Sequence, residues 1–211
     1  MKEITARRTV MCEHGEEVYE LIVERRTIRQ FRPDPVPTET LERVVNAGRL
    51  APSAANLQPL EFIVVDAPEV RQKVIPCLKW AAYIAPQGDP KPGHEPTAYI
   101  VVLVNNKVRE KLFEYDVGAA VENMILAALA EDVGSCWLLS VDRDRLREAL
   151  QVPAHYRIDC VLALGYPDEA PVVENMTGSP CYWKDAEGRL HVPKRDLKTV
   201  MHRNVYGEAK G

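Results

Sequence analysis

Four arginines fall within ten residues in ERRTIRQFRP, residues 24–33, of a chain whose formal charge at neutral pH is −4. Arg25, Arg26, Arg29 and Arg32 repel one another unless carboxylates or a bound anion neutralise them. Two readings are open. The cluster can be a solvated face paired with Glu24 and remote acids. It can also be a clamp in which guanidinium forks grip a phosphate or carboxylate. If TIRQF is extended, Thr27, Arg29 and Phe31 share one side, and Ile28 and Gln30 the other.

A second stretch, RLAPSAANLQP at 49–59, sets Ser53, Asn56 and Gln58 between two prolines. A polar turn at a helix end explains it. So does a recognition loop, because primary amides present donors and acceptors together, as suits the edge of a heterocycle. Proline stiffens such a loop and lowers the cost of ordering it around a ligand.

Other reactive residues form no comparable pattern. Cys12 and His14 make a C-x-H pair, and His94, His155, His191 and His202 are scattered, so no second tight pair completes a structural zinc site. A cysteine–histidine nucleophilic pair stays open, although Cys160 lies in an apolar run where an inert buried thiol is expected. No G-x-G-x-x-G exists, which disfavours a Rossmann dehydrogenase. The carboxylates of EKLFEYD (110–116) read as a solvated helix face.

The elements that must position these residues alternate along 211 residues, 46% hydrophobic and 27% charged, as in an ordinary soluble domain. Periodicity predicts helices over 16–24, from Pro37 to near Pro52 with Thr38 as cap, from Pro68 with a disturbance at Pro76, over 115–131, and over 142–152. Strands are expected at 61–66, 98–105, 136–141 and 158–166, the last central in its sheet. Residues 86–96 read as an exposed loop and 167–193 as loop-rich, with a helical or extended tail at 194–207. The whole reads as a single domain over 1–211, with a core at about 17–171 and an extension at about 172–211 that wraps a neighbour.

The acidic balance argues against nucleic acid as a partner. The apolar runs, such as AYIVVLV (98–104), are too short to span a membrane. Five scattered cysteines without a C-x-x-C pair, and no leader-like segment, point to free thiols and a cytoplasmic location.

RRTIRQFRPDPVP followed by AGRLAPSAANLQPLEFIVV resembles the nitroreductase family of flavin mononucleotide (FMN) enzymes. DVGAAVENMILAA (116–128) is similar to that family's long buried helix, and VLALGYPDEAP (161–171) to its last core strand and turn. The resemblance implies an α+β fold with a mostly antiparallel central sheet flanked by helices, and a C-terminal tail over the partner of a homodimer. It implies that Arg25, Arg26, Thr27 and Arg29 hold the ribityl phosphate and pyrimidine side of FMN. Pro52, Ser53, Ala54, Asn56 and Gln58 complete the site from the other subunit, with Leu60 standing where tryptophan is usual.

By the same resemblance, Trp137, Leu139 and Ser140 pass behind the flavin ring, although a glutamate–glycine pair is common where Leu139 and Ser140 stand. Lys194 and Arg195 finish the phosphate site, with Arg203 a competing choice, and Arg32 falls outside the motif. The implied activity carries electrons from NAD(P)H through the flavin to a nitroaromatic, quinone or similar small conjugated acceptor. The flavin carries the chemistry, with Arg26 or Arg29 stabilising charge on its reduced form. Flavin-destroying enzymes of cobalamin biosynthesis and dehalogenating flavoproteins share the likeness. The former usually carry P-S-V-G where this chain has PSAANLQP. A non-catalytic FMN module and a flavin-free anion-binding domain are the alternatives from other classes. Trp80, Tyr83 and His94 are the residues through which 86–96 would act as a lid, against ordinary packing and an exposed loop tip.

Overall fold

The computed structural model describes residues 15–207. Its central sheet has four strands: β1 (Leu60–Val65), β2 (Ala98–Asn105), β3 (Gly134–Leu138) and β4 (Tyr156–Gly165). They lie in the order β1-β2-β4-β3, and each neighbouring pair is antiparallel. Helices α1 (residues 15–24), α2 (Thr38–Arg49), α3 (Pro68–Val74), α4 (Glu114–Leu129) and α5 (Arg143–Leu150) complete the α+β core.

β2 and β4 occupy the middle of the sheet and are covered on both faces, which is why neither alternates in polarity. On one face Ile100, Val102, Leu162 and Leu164 meet Leu41 and Val44 of α2 and Val121, Met124 and Ile125 of α4. On the other, Tyr99, Val101, Val161 and Ala163 meet Val74 of α3, Leu146 of α5 and Trp80. A bulge lets Asp159 stand as the extra residue between Ile158 and Cys160, which pair with Leu103 and Val102. Ile158 and Val161 therefore share a face despite their spacing of three.

Two local expectations are corrected. The N-cap of α2 is Pro37 rather than Thr38, and no side chain caps it. The third strand ends at Leu138 because Leu139–Val141 leaves β4 and runs beside residues 77–79, with Val141 bridging Leu78 and Lys79 N–H donating to the Ser140 carbonyl. Residues 167–193 are loop-rich, and within that stretch β5 (Val172–Asn175), β6 (Trp183–Lys184) and β7 (Leu190–Lys194) form a small sheet ordered β5-β7-β6. β5 and β7 pair in parallel, a contact between distant segments that local pattern does not announce. After it, α6 (Leu197–Val200) is capped by the Asp196 carboxylate.

Candidate functional site

The arginine segment is built onto the free edge of β3. Thr27 bridges Ser135 in parallel register, and Ile28 N–H donates to the Ser135 carbonyl at 2.9 Å. Gly134 and Gly165, paired across β3 and β4, make room for the segment's two apolar residues. A Cβ on Gly134 would come 2.8 Å from Ile28 Cγ1, and one on Gly165 2.9 Å from Phe31 Cδ1. Phe31 is fully buried. Its N–H donates to the His94 carbonyl and it bridges Pro167, which turns its ring into the core.

Arg29 opens onto a cleft of about 630 Å³ that Cys136, Trp137, Leu139 and Ser140 also line. Of the residues expected behind a flavin ring, all three therefore share one cavity with Arg29. The remaining walls are Leu78–Ala82, Ala85, Asp89, Leu138 and Tyr182, of which the sequence singled out only Trp80. The Arg29 guanidinium lies 5.3 Å from the Tyr182 ring centroid and beside the Cys136 thiol, and its Nε is shut from water without a hydrogen bond of good geometry. Burial pushes the Cys136 thiol up to about 11 and Cys160 to about 12, so neither is a thiolate nucleophile at neutral pH.

Arg25 and Arg26 line a different cavity, of about 210 Å³, with Ile28, Ser135, Pro167 and Glu169. The Thr27–Ser135 bridge separates it from the cleft in sequence along β3. Arg25 Nε stands 3.9 Å from Glu122, while Arg26 Nη1 donates to the Val23 and Arg25 carbonyls. Burial, then the Arg25 charge, lowers the Arg26 pKa from its ordinary value. Arg32 is half-exposed, 3.8 Å from Asp34.

The loop after α2 forms a third locus. Pro52, Ser53 and Gln58 line a cavity of about 160 Å³ with Gly48, Phe62 and Asp116, while Ala54 and Asn56 stand on its exposed turn. Ala55, Asn56 and Gln58 have φ of 54°, 54° and 49°. A left-handed conformation costs a residue with a Cβ roughly 1–2 kcal/mol, so the turn persists only because its surroundings hold it. Ser53 supplies part of the hold: its Oγ accepts from Gln58 N–H at 3.0 Å and its carbonyl from Asn56 N–H at 2.9 Å.

Lys194 ends β7 and Arg195 donates to the Thr199 carbonyl at 2.8 Å, within its own tail. Neither lines the three cavities, and Arg203 is exposed. The preceding segment does reach the cleft: Tyr182 packs on Tyr83 with centroids 5.0 Å apart, and Lys184 Nζ donates to the Gln87 carbonyl.

Residues 86–96 are a tethered wall. The buried Gln30 amide donates to the Asp89 carbonyl at 2.9 Å and accepts from Lys91 N–H at 3.0 Å. His94 Nδ1 lies 2.8 Å from Asp168, whose own N–H donates to the Gln30 carbonyl. Sequence reasoning gave no role to Gln30 or Glu169, although Gln30 lies in the arginine stretch and Glu169 in VLALGYPDEAP. It misread Asp116, which is 3% exposed rather than part of a solvated face.

Among the described residues no three His, Cys, Asp or Glu side chains converge as metal ligands, and no helix is long and apolar enough to cross a membrane. Cys12 and His14 lie outside the described residues.

A glycine-seated arginine segment on the edge of an antiparallel sheet, beside an aromatic cleft, defines an α+β protein of the nitroreductase fold. The nitroreductase family model matches residues 22–166, and the chain belongs to that family. It is 32% identical over 161 residues to a protein of Archaeoglobus fulgidus assigned as an NADH dehydrogenase/NAD(P)H nitroreductase, covering 73% of this chain and 87% of that one. It is 25% identical to human iodotyrosine deiodinase 1 over 81% of this chain and 68% of the relative. Among solved structures, a nitroreductase by assignment from Desulfovibrio desulfuricans, in complex with FMN, superposes with a TM-score of 0.60 at 27% identity, covering 76% and 92% of the two chains.

Proposed function

We propose that this protein is an FMN-dependent oxidoreductase that carries electrons from NAD(P)H to a small conjugated acceptor such as a nitroaromatic or quinone. The observation that carries the reading is the cleft where Arg29 meets Trp137, Leu139 and Ser140. Its volume of about 630 Å³ lies in the range of cofactor sites. The half-buried Arg29 side chain brings guanidinium donors to that cleft, which suits the electron-rich pyrimidine edge of a flavin.

Bound FMN supplies reversible two-electron chemistry, accepting hydride from reduced nicotinamide and passing electrons onward. The protein contributes placement and charge. Arg29, set over Tyr182 in a partly dry wall, stabilises negative charge on the reduced ring edge. Arg25 and Arg26 at the neighbouring cavity, with Thr27 bridged to Ser135 on its border, hold the phosphate side. Leu139 and Ser140, having left the sheet, line the cleft beside Trp137. Pro52, Ser53, Ala54, Asn56 and Gln58 act on the site of a second copy, since the Asn56 and Gln58 side chains are exposed on their own chain. The active species is therefore a homodimer. Lys194, Arg195 or Arg203 reaches the phosphate only if the tail is placed by that partner.

The visible spectrum of the purified protein tests the cofactor, and anaerobic bleaching by NADH or NADPH tests turnover. A colourless protein that takes up no FMN would sink the reading; a yellow protein that neither nucleotide bleaches would leave a binding module. The deiodinase relative favours a second reading, reductive removal of halogen from an aromatic amino acid. Halide release from a halotyrosine, compared with turnover of a nitroaromatic, separates the two.

A further inference from the structure

We propose that Asp116 and Arg109 are a positioning pair that locks the 52–58 loop into the shape in which it meets a flavin. The inference rests on the flavin reading above and goes beyond it, because neither residue belongs to the arginine or amide motifs.

Asp116 sits in the first turn of α4, with its side chain 4% exposed. A buried carboxylate is expensive unless it is paired and hydrogen-bonded. Asp116 Oδ1 accepts the Ala54 N–H at 3.1 Å, across 62 residues of sequence. Asp116 Oδ2 lies 3.6 Å from Arg109 Nη1, and the Arg109 side chain is 12% exposed. The same Nη1 reaches the Ala54 carbonyl at 3.4 Å, while Arg109 Nε donates to the Lys111 carbonyl. One residue, Ala54, is thus held at its N–H by the acid and at its C=O by the base.

The position of that grip matters. Ala54 directly precedes the left-handed pair Ala55 and Asn56, and Gln58 is left-handed as well. Local bonds from Ser53 close the turn on itself but do not fix where it stands on the protein. The bonds to Asp116 and Arg109 do, because Asp116 belongs to a helix anchored by Val117, Val121 and Met124 in the core. Asp116 also lines the cavity shared by Ser53 and Gln58. A loop ordered before binding loses less entropy when it meets its ligand, so the pair acts on affinity through the loop without touching the ligand itself.

The test compares Asp116→Ala, Asp116→Asn and Arg109→Met with the parent, reading FMN affinity of the apoprotein by flavin fluorescence and backbone amide exchange by mass spectrometry. Asp116→Ala is expected to bind FMN about tenfold more weakly, the equivalent of losing one charged buried hydrogen bond. Exchange should rise across residues 53–58 and stay at the parent level in β2 and β4. Asp116→Asn keeps an acceptor for the Ala54 N–H and should recover part of both, a rescue that a merely structural acid would not produce. Arg109→Met, at the more exposed member of the pair, repeats the loop-confined effect if Asp116→Ala fails to fold. Parent-like affinity together with parent-like loop exchange in the folded variants overturns the proposal. A parent that binds no FMN overturns the flavin reading separately, and the clamp then stands or falls on the exchange data.

Discussion

The backbone N–H of Arg29 donates to the Glu169 carboxylate, which also accepts the Gln30 N–H at 3.3 Å. Glu169 follows β4 by four residues and lines the Arg25–Arg26 cavity. One acid therefore ties the end of the central sheet to the segment that aims Arg29 into the cleft.

Removing that acid should loosen the segment without emptying the cleft. Glu169→Ala leaves two part-buried N–H groups without their acceptor, at a cost of about 1–3 kcal/mol. Urea unfolding should show the loss, with Glu169→Gln intermediate. An unchanged midpoint in Glu169→Ala would show that water satisfies both donors.

Arg29→Ala removes the charge facing the proposed flavin edge. Loss of such a donor costs roughly 3 kcal/mol in a transition state, a slowing of about a hundredfold. Stopped-flow reduction by NAD(P)H should slow by more than flavin affinity falls. A flavin-replete variant of parental rate would remove Arg29 from the site.

Gly165→Ala places a Cβ within 2.9 Å of the Phe31 ring, which is enclosed on all sides. Overpacking of this kind costs about 1–3 kcal/mol. The expected result is a lowered denaturation midpoint together with weakened flavin retention, because the displaced ring drags the arginine segment with it. A stability loss with flavin binding intact would uncouple the two.

Gln30→Ala should free the wall formed by residues 86–96. The buried amide satisfies Asp89 O and Lys91 N–H, so its loss leaves both without that partner. Amide exchange at 89–94 should quicken several-fold, about the effect of losing one or two net hydrogen bonds. Unaltered exchange there would mean that His94 and Asp168 suffice.

The small sheet should respond to pH. His191 lies 3.1 Å from Asp185 at Nε2 and 3.1 Å from Glu174 at Nδ1, stacked on Trp183 at 4.2 Å. The Asp185 hydrogen bond, then that of Glu174, raises His191 above its ordinary 6.5, while the Trp183 bond lowers Glu174 and the His191 bond lowers Asp185. A raised histidine stabilises fully below 6.5, and its contribution fades as pH rises through the folded value. The depressed carboxylates contribute above their ordinary 4.5 and 3.8 and fade as pH falls through their folded values. The cluster is therefore strongest between 4.5 and 6.5. Trp183 fluorescence should titrate above that window in the parent and lose this phase in His191→Gln; the same titration in both would place its origin elsewhere.

By itself the sequence determined the strands β2 and β4, the long helix α4 and the two motifs, because continuous apolar runs and a dense arginine cluster are local signals that need no partner to be read. The third strand reads on to Val141, since Leu139 and Val141 continue its apolar run and only their pairing partners show that they leave the sheet. Only the tertiary structure divided the arginines, sending Arg29 to the cleft and Arg25 and Arg26 to the neighbouring cavity. It alone made Asp116 a buried anchor and Tyr182 a wall of the cleft. Those roles depend on atoms brought together across scores of residues, and a carboxylate on a helix carries no local mark that says which backbone N–H will find it.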